Sequence, residues 1–127
     1  MAQPEWNPAV VLEWGDGEHT FALRFGELVA LEARHDAGFL LLRQSLERRT
    51  CRAELIRDVI RFGLEGGGMK PVDVNRLVQR YVIERSPLES LSTAVTIMDR
   101  AILPPAGALG KGDGEASGAA TDASPSP

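Results

Sequence analysis

The chain has 127 residues, 18 acidic against 14 basic side chains, a net charge of −4 and a pI near 5.2, a balance that argues against a general affinity for nucleic acid. Its single cysteine, Cys51, excludes an internal disulfide and a multi-cysteine zinc site. The start MAQPEWNPAV has neither a basic n-region nor an apolar core, and the longest apolar run, Phe39 to Leu42, is far too short to span a bilayer, so a soluble, cytoplasmic-type protein without a signal peptide or membrane span is expected.

In chain order, the first element is a hairpin over residues 10–24. VLEWGDGEHTF carries Asp16-Gly17 between alternating residues, and this dipeptide suits a two-residue turn with positive φ. That loop pairs Trp14 with His19, Leu12 with Phe21 and Val10 with Leu23. Val10, Leu12, Trp14, Phe21 and Leu23 then share one face. Asp16 sits at the tip, while Glu18 and His19 point to opposite faces. A calcium loop needs more oxygen ligands and a distal glutamate, so the stretch reads as a turn. A lone hairpin is marginal, and its apolar face must lie on something else.

From Phe25 the period changes from two to about 3.6. A short helix over 25–34 carries Leu28, Ala30 and Leu31. Asp36 is a candidate N-cap for a second helix, 38–49, with Phe39, Leu42 and Leu46 on one side. A third helix, 51–65, has Thr50 as candidate N-cap and a stripe of Leu55, Ile56, Val59, Ile60 and Leu64; Arg57, Asp58, Arg61 and Glu65 take the other side. Gly66-Gly67-Gly68 ends it with a left-handed cap. A fourth helix, 71–84, buries Val74, Leu77, Val78, Tyr81 and Val82. Ser86-Pro87-Leu88-Glu89 combines a capping box with proline at the first helical position. It opens a fifth helix, 87–103, with a seam of Leu88, Leu91, Val95, Met98 and Ile102. The result is an α+β, mostly helical domain over 1–103. Residues 104–127, nearly all Pro, Gly, Ala, Ser and acid, cannot bury enough apolar surface to order themselves and are expected to be a disordered low-complexity tail.

Candidate chemistry is sparse. GLEGGGMKP lacks the Ser or Thr of a phosphate loop, since Pro71 follows Lys70, and its glycines close a helix rather than open one. His35-Asp36 could orient an imidazole, and Cys51 sits at a helix start where a thiol pKa can fall; neither has a matching partner. No catalytic residue, cofactor or metal is called for. Arg43, Arg48, Arg49, Arg52, Arg57 and Arg61 crowd the second and third helices. Glu47, Glu54 and Asp58 interleave with them as a salt-bridged, solvated face, with Arg48, Arg52, Arg57 and Arg61 as a candidate protein interface.

The stretches FALRFGELVALEARHDAGFLLL, IRDVIRFGLEGGG and LVQRYVIERSPLESL resemble the gene transfer agent family of small phage-type tail proteins, grouped with phage tail-assembly chaperones. The likeness is carried by Leu23, Arg24, Gly26, Glu27 and Leu28, by Gly63, Leu64 and Gly66 to Gly68, and by Arg80 to Val82, Glu84 and Arg85. It spans about residues 10–103. The resemblance implies a non-enzymatic protein of phage-like tail assembly that binds the tape-measure protein, with a second small tail chaperone as a further partner. Apart from the resemblance, the arginine-rich third helix leaves a weaker reading, a small nucleic-acid-binding regulator; the resemblance's own alternative is a structural tube component retained in the particle. The resemblance supplies no site residues.

Ending the chain at Leu103 is expected to leave the melting temperature unchanged within about 4 °C. A larger fall, which corresponds to about 1 kcal/mol for a domain of this size, would show that the tail packs.

Overall fold

The structure, a computed structural model, describes residues 6–104. The expected tail falls almost wholly outside them. The body of the fold is Pro8–Ile102, and of the flanks the described residues Trp6, Asn7, Leu103 and Pro104 belong to a separate unit. Within that unit the Trp6 indole N–H donates to the Leu103 carbonyl at 3.2 Å.

The body is α+β and mostly helical. β1 (Val10–Trp14) and β2 (Gly17–Phe21) form an antiparallel hairpin. Then come α1 (Phe25–His35), α2 (Phe39–Glu47), α3 (Ala53–Gly66) and α4 (Pro71–Val78), which continues through a π-helical turn, Gln79–Ile83. A 3-10 turn, Pro87–Ser90, leads into α5 (Leu91–Ile102). The helix α3 packs against α1, α4, α5 and β2, so it is the post on which the rest is hung. Its stripe, Leu55, Ile56, Val59, Ile60 and Leu64, is buried as the helical spacing requires.

The hairpin turns one residue earlier than its sequence suggests. Val10 pairs with Phe21, Leu12 with His19 and Trp14 with Gly17, leaving Gly15 and Asp16 as the loop. Gly15 takes the positive φ, +67°, at the first loop position, as a type II′ turn requires, and Asp16 needs none. Tertiary packing favours this turn: a Cβ on Gly15 would lie 2.9 Å from the Tyr81 ring. Cross-strand partners shift by two positions rather than one, so side-chain parity survives. Trp14 and Phe21 face the core, while Val11, Glu13, Glu18 and Thr20 are exposed.

The glycine run joins hairpin to helix. At Gly66 a Cβ would meet the Ala22 carbonyl oxygen at 1.8 Å, and at Gly67 the Thr20 carbonyl oxygen at 2.1 Å. One turn earlier, the Gly63 carbonyl accepts the Ala22 N–H at 2.9 Å. Only the third glycine makes the left-handed cap. Gly68 has φ +107°, with its own N–H on Glu65 and the Met69 N–H on Leu64, the two bonds of a Schellman closure. Gly66 and Gly67 are therefore required by close approach, not by capping.

Other caps differ from their sequence reading. Asp36 terminates α1 at φ 50° instead of opening α2, whose N-cap is Gly38; the orphan Phe39 N–H is met by the Glu32 carboxylate at 2.9 Å. The N-cap of α3 is Arg52, not Thr50. At the 3-10 turn the Ser86 hydroxyl accepts the Leu88 N–H at 3.3 Å, but Glu89 turns to Arg85 at 3.0 Å rather than back to the Ser86 backbone. That reciprocal bond occurs at α1, where Glu27 accepts the Arg24 N–H at 2.8 Å. The α5 seam is also rephased: Leu91, Ala94, Ile97, Met98 and Ala101 are buried and Leu88 is exposed. A 3-10 turn advances 120° per residue, so Leu88 leaves the phase of the α-helix that follows.

Gly66→Ala and Gly67→Ala are each expected to destabilise by about 1–3 kcal/mol, because backbone must move to admit the methyl. Gly26→Ala, in the first turn of α1 with open space around it, is expected to stabilise by about 0.4–1 kcal/mol. Urea midpoints of the three variants test the contrast.

Candidate functional site

The two histidines and the cysteine do not assemble a reaction centre. At the hairpin tip His19 Nε2 lies 2.6 Å from Asp16 Oδ1, a pairing the sequence reading did not foresee, while Glu18 is exposed on the other face. That hydrogen bond holds the exposed Asp16 carboxyl below its usual range. The His19 ring stands edge-on to Trp14 and Phe21, which makes it part of the aromatic face of the hairpin. Cys51 is half-buried ahead of α3, and desolvation pushes its thiol pKa up, the reverse of an activated nucleophile. No group of three or more His, Cys, Asp or Glu residues able to hold a metal occurs among the described residues. Among the described residues no helix is long and apolar enough to cross a membrane.

The arginine-rich stretch divides into two populations. Asp58, read from sequence as part of a solvated face, is wholly buried. It accepts from Arg34 Nε and His35 Nε2, both at 2.8 Å on Oδ2, and from Arg57 Nε at 3.0 Å on Oδ1. His35 is thus tied to α3 and not to its neighbour Asp36. Arg57 is committed to this knot, and Arg61 is half-buried with Nε lacking a hydrogen-bond partner among the described residues. Arg43 bridges Asp99 on α5 at 2.6 Å and Glu47 at 2.7 Å, and the Asp99 carboxylate raises its pKa.

Arg48, Arg49 and Arg52 form the second population. They sit on the exposed link between α2 and α3, and none makes an ion pair among the described residues. Of the four arginines singled out as an interface, Arg48 and Arg52 are exposed, Arg61 is half-buried, and Arg57 is engaged with Asp58. Sequence reading gave no special weight to Arg49, which holds φ 59° at the end of α2. Nor did it place Leu88 at the surface, where it is 63% exposed. A run of like charge between two amphipathic segments was the available signal for the former. For the latter it was the Ser-Pro step, which opens a 3-10 turn as readily as an α-helix.

Arg49, Leu88 and Leu91 are shared by two open cavities of about 360 and about 230 Å³. The first extends over Leu46, Val95 and Thr96 and the second over Ile56 and Ala53. Ala53 and Pro87 also border a third, of about 220 Å³, that reaches Val82 and Ile83. The surface is a shallow groove of mixed character: Leu46, Ile56, Leu88 and Leu91 alternate with the polar Glu47, Ser92 and Thr96, and Arg49 lines both of the first two cavities. Such a groove holds side chains rather than performing chemistry.

The family model described as "Phage tail tube protein, GTA-gp10" matches residues 7–103. No curated protein and no solved structure gives a match.

The buried knot makes an asymmetric forecast. Asp58→Asn keeps the shape and some of the hydrogen bonds and is expected to cost about 1–2 kcal/mol. The double variant Arg34→Met/Arg57→Met leaves the buried carboxylate short of two of its three partners and is expected to cost more, about 3–5 kcal/mol. Equal costs by chemical denaturation would contradict the arrangement.

Proposed function

Because the chain belongs to that phage tail tube family, which makes it a component of a phage-like tail system, we propose that it acts as a non-enzymatic tail-assembly protein that binds the tape-measure protein during tail morphogenesis. The observation that carries this reading is the nature of the exposed apolar surface. Phe25, Leu40, Leu41 and Leu88 are large, well exposed and all helical. Helices with exposed apolar side chains suit helix-in-groove recognition. A tape-measure protein is a long, largely helical chain, and such a chain exposes apolar stripes until tube subunits enclose it. Covering them transiently requires a soluble, adaptable partner and no catalytic group, which agrees with a raised thiol pKa at Cys51 and a His35 engaged in structure. Action on the tail proteins in the producing cell follows from this role.

A second reading is favoured by the family's own description: a structural tube component retained in the particle. The outer edge of β1 has no strand partner among the described residues, and an unpaired edge is a means of joining subunits. Quantitative mass spectrometry of purified particles separates the two. The assembly role predicts that the chain is absent or far below stoichiometry in mature tails, yet co-purifies with the tape-measure protein when the two are co-expressed. Stoichiometric presence in finished tails establishes the tube role instead.

A further inference from the structure

We infer that the outer edge of β1 takes up an extended, basic segment of another protein as a third strand of the hairpin sheet. That the segment belongs to a tail protein rests on the reading above, whereas the pairing itself does not.

The two edges of the hairpin are not equivalent. With Gly15 and Asp16 as a two-residue loop, Trp14 and Gly17, Leu12 and His19, and Val10 and Phe21 are the hydrogen-bonded pairs. The residues between them, Val11 and Glu13 on β1 and Glu18 and Thr20 on β2, therefore turn their N–H and C=O groups outward. On the β2 side the fold absorbs this row. The Ala22 N–H, of the same parity as Thr20, reaches Gly63, and the Thr20 and Ala22 carbonyls lie against Gly67 and Gly66. On the β1 side the N–H and C=O of Val11 and Glu13 have no hydrogen-bond partner among the described residues. Neither a proline nor a bulge interrupts β1, two common ways of blunting an edge, and Val11 is 58% exposed.

The charge pattern of the hairpin selects the occupant. The register sets Glu13 directly opposite Glu18 on the exposed face, in a non-hydrogen-bonded pair, where side chains lie closest. Like charges so placed are destabilising. Neither carboxylate forms an ion pair among the described residues, and neither strand contains Lys or Arg. A lysine or arginine beside Glu13 on an added strand, its long side chain reaching toward Glu18, offsets that repulsion. The same carboxylates turn away copies of this chain, whose strands VVLEW and GEHTF bring glutamate and no basic residue. The fitting segment alternates basic residues, on the carboxylate face, with apolar ones beside the half-buried Val10 and Leu12.

The test uses the full chain and a fluorescent, end-capped peptide of about nine residues that alternates lysine with valine. Fluorescence anisotropy is expected to show saturable binding that weakens at high salt. The same peptide N-methylated at alternate residues keeps its charge but cannot pair with an edge, and a version with glutamate for lysine reverses the charge. Each should bind at least about tenfold more weakly. At saturating peptide, amide exchange at Val11 and Glu13 should slow, while Leu12, already bonded to β2, changes little.

Glu13→Lys is the diagnostic variant. It converts a like-charged pair into an opposite one, so the melting temperature is expected to rise while binding falls about tenfold. Val11→Pro removes a donor that points away from β2, so the hairpin should fold while binding is lost. No saturable binding overturns the inference, as does binding indifferent to N-methylation, to peptide charge or to Glu13→Lys. Protection gained elsewhere but not at Val11 and Glu13 overturns it too. Self-association that Val11→Pro abolishes makes the edge a contact between copies of this chain, which also overturns it. Peptide binding is read without particles, so its outcome is independent of whether the chain is found in mature tails.

Discussion

The structure depends on one close approach of backbone to backbone, where the strand β2 leaves the hairpin and lies on the last turn of α3. The Ala22 N–H is bonded to the Gly63 carbonyl. The carbonyls of Thr20 and Ala22 come so near Gly67 and Gly66 that no side chain could stand between them. A two-stranded hairpin is not stable alone in water. Here one edge of β2 is paired with β1, and its exit at Ala22 is hydrogen-bonded to a helix terminus. The apolar face of the hairpin is thereby fixed over Leu64, Ile97 and the rest of the core, with Phe21 and Leu23 wholly buried. Three glycines in the five residues 63–67 would weaken an isolated helix. In this fold they are the condition for its central contact.

Around that contact the remaining elements are tied by a few polar bonds placed inside an otherwise apolar interior. The Trp14 indole donates to the buried Ser90 hydroxyl at 3.0 Å, locking the hairpin to the 3-10 turn. Asp58 draws Arg34 and His35 of α1 and Arg57 of its own helix onto one carboxylate. A buried carboxylate is costly to desolvate and is tolerated because three donors surround it. Its value lies in register: one rotation of α3 relative to α1 satisfies all of them. Arg48, Arg49 and Arg52, on the link between α2 and α3, make no ion pair among the described residues.

Much of this was legible in the residues. The order of the helices, the α3 stripe and the two faces of the hairpin follow from periodicity, and periodicity is blind to a slip of two. For that reason the turn could move from Asp16-Gly17 to Gly15-Asp16 without exposing Trp14. What sequence could not carry was long-range. Gly15 is chosen by Tyr81, sixty-six positions away, and Asp58 is buried by residues on another helix. Pattern reading assigned Leu88 to a seam because it takes every helical turn to be an α turn. The arginine cluster was visible as composition, but its division into Arg57, committed to the interior, and Arg48, Arg49 and Arg52, without ion pairs among the described residues, needed the position of Asp58. The functional reading inherits that limit: family membership places the chain in a phage-like tail system, and only the geometry nominates a surface.

The most direct measurement of the account is native-state hydrogen exchange at the Ala22 amide. If the bond to Gly63 and the glycine contact organise the fold, this amide exchanges only through global unfolding, with a free energy equal to that of the core of α3. It should lose that protection in Gly66→Ala even where the α3 amides keep theirs. Rapid exchange at Ala22 in the unmutated chain, while α3 remains protected, would mean that the hairpin detaches freely and that the helices hold the structure without it.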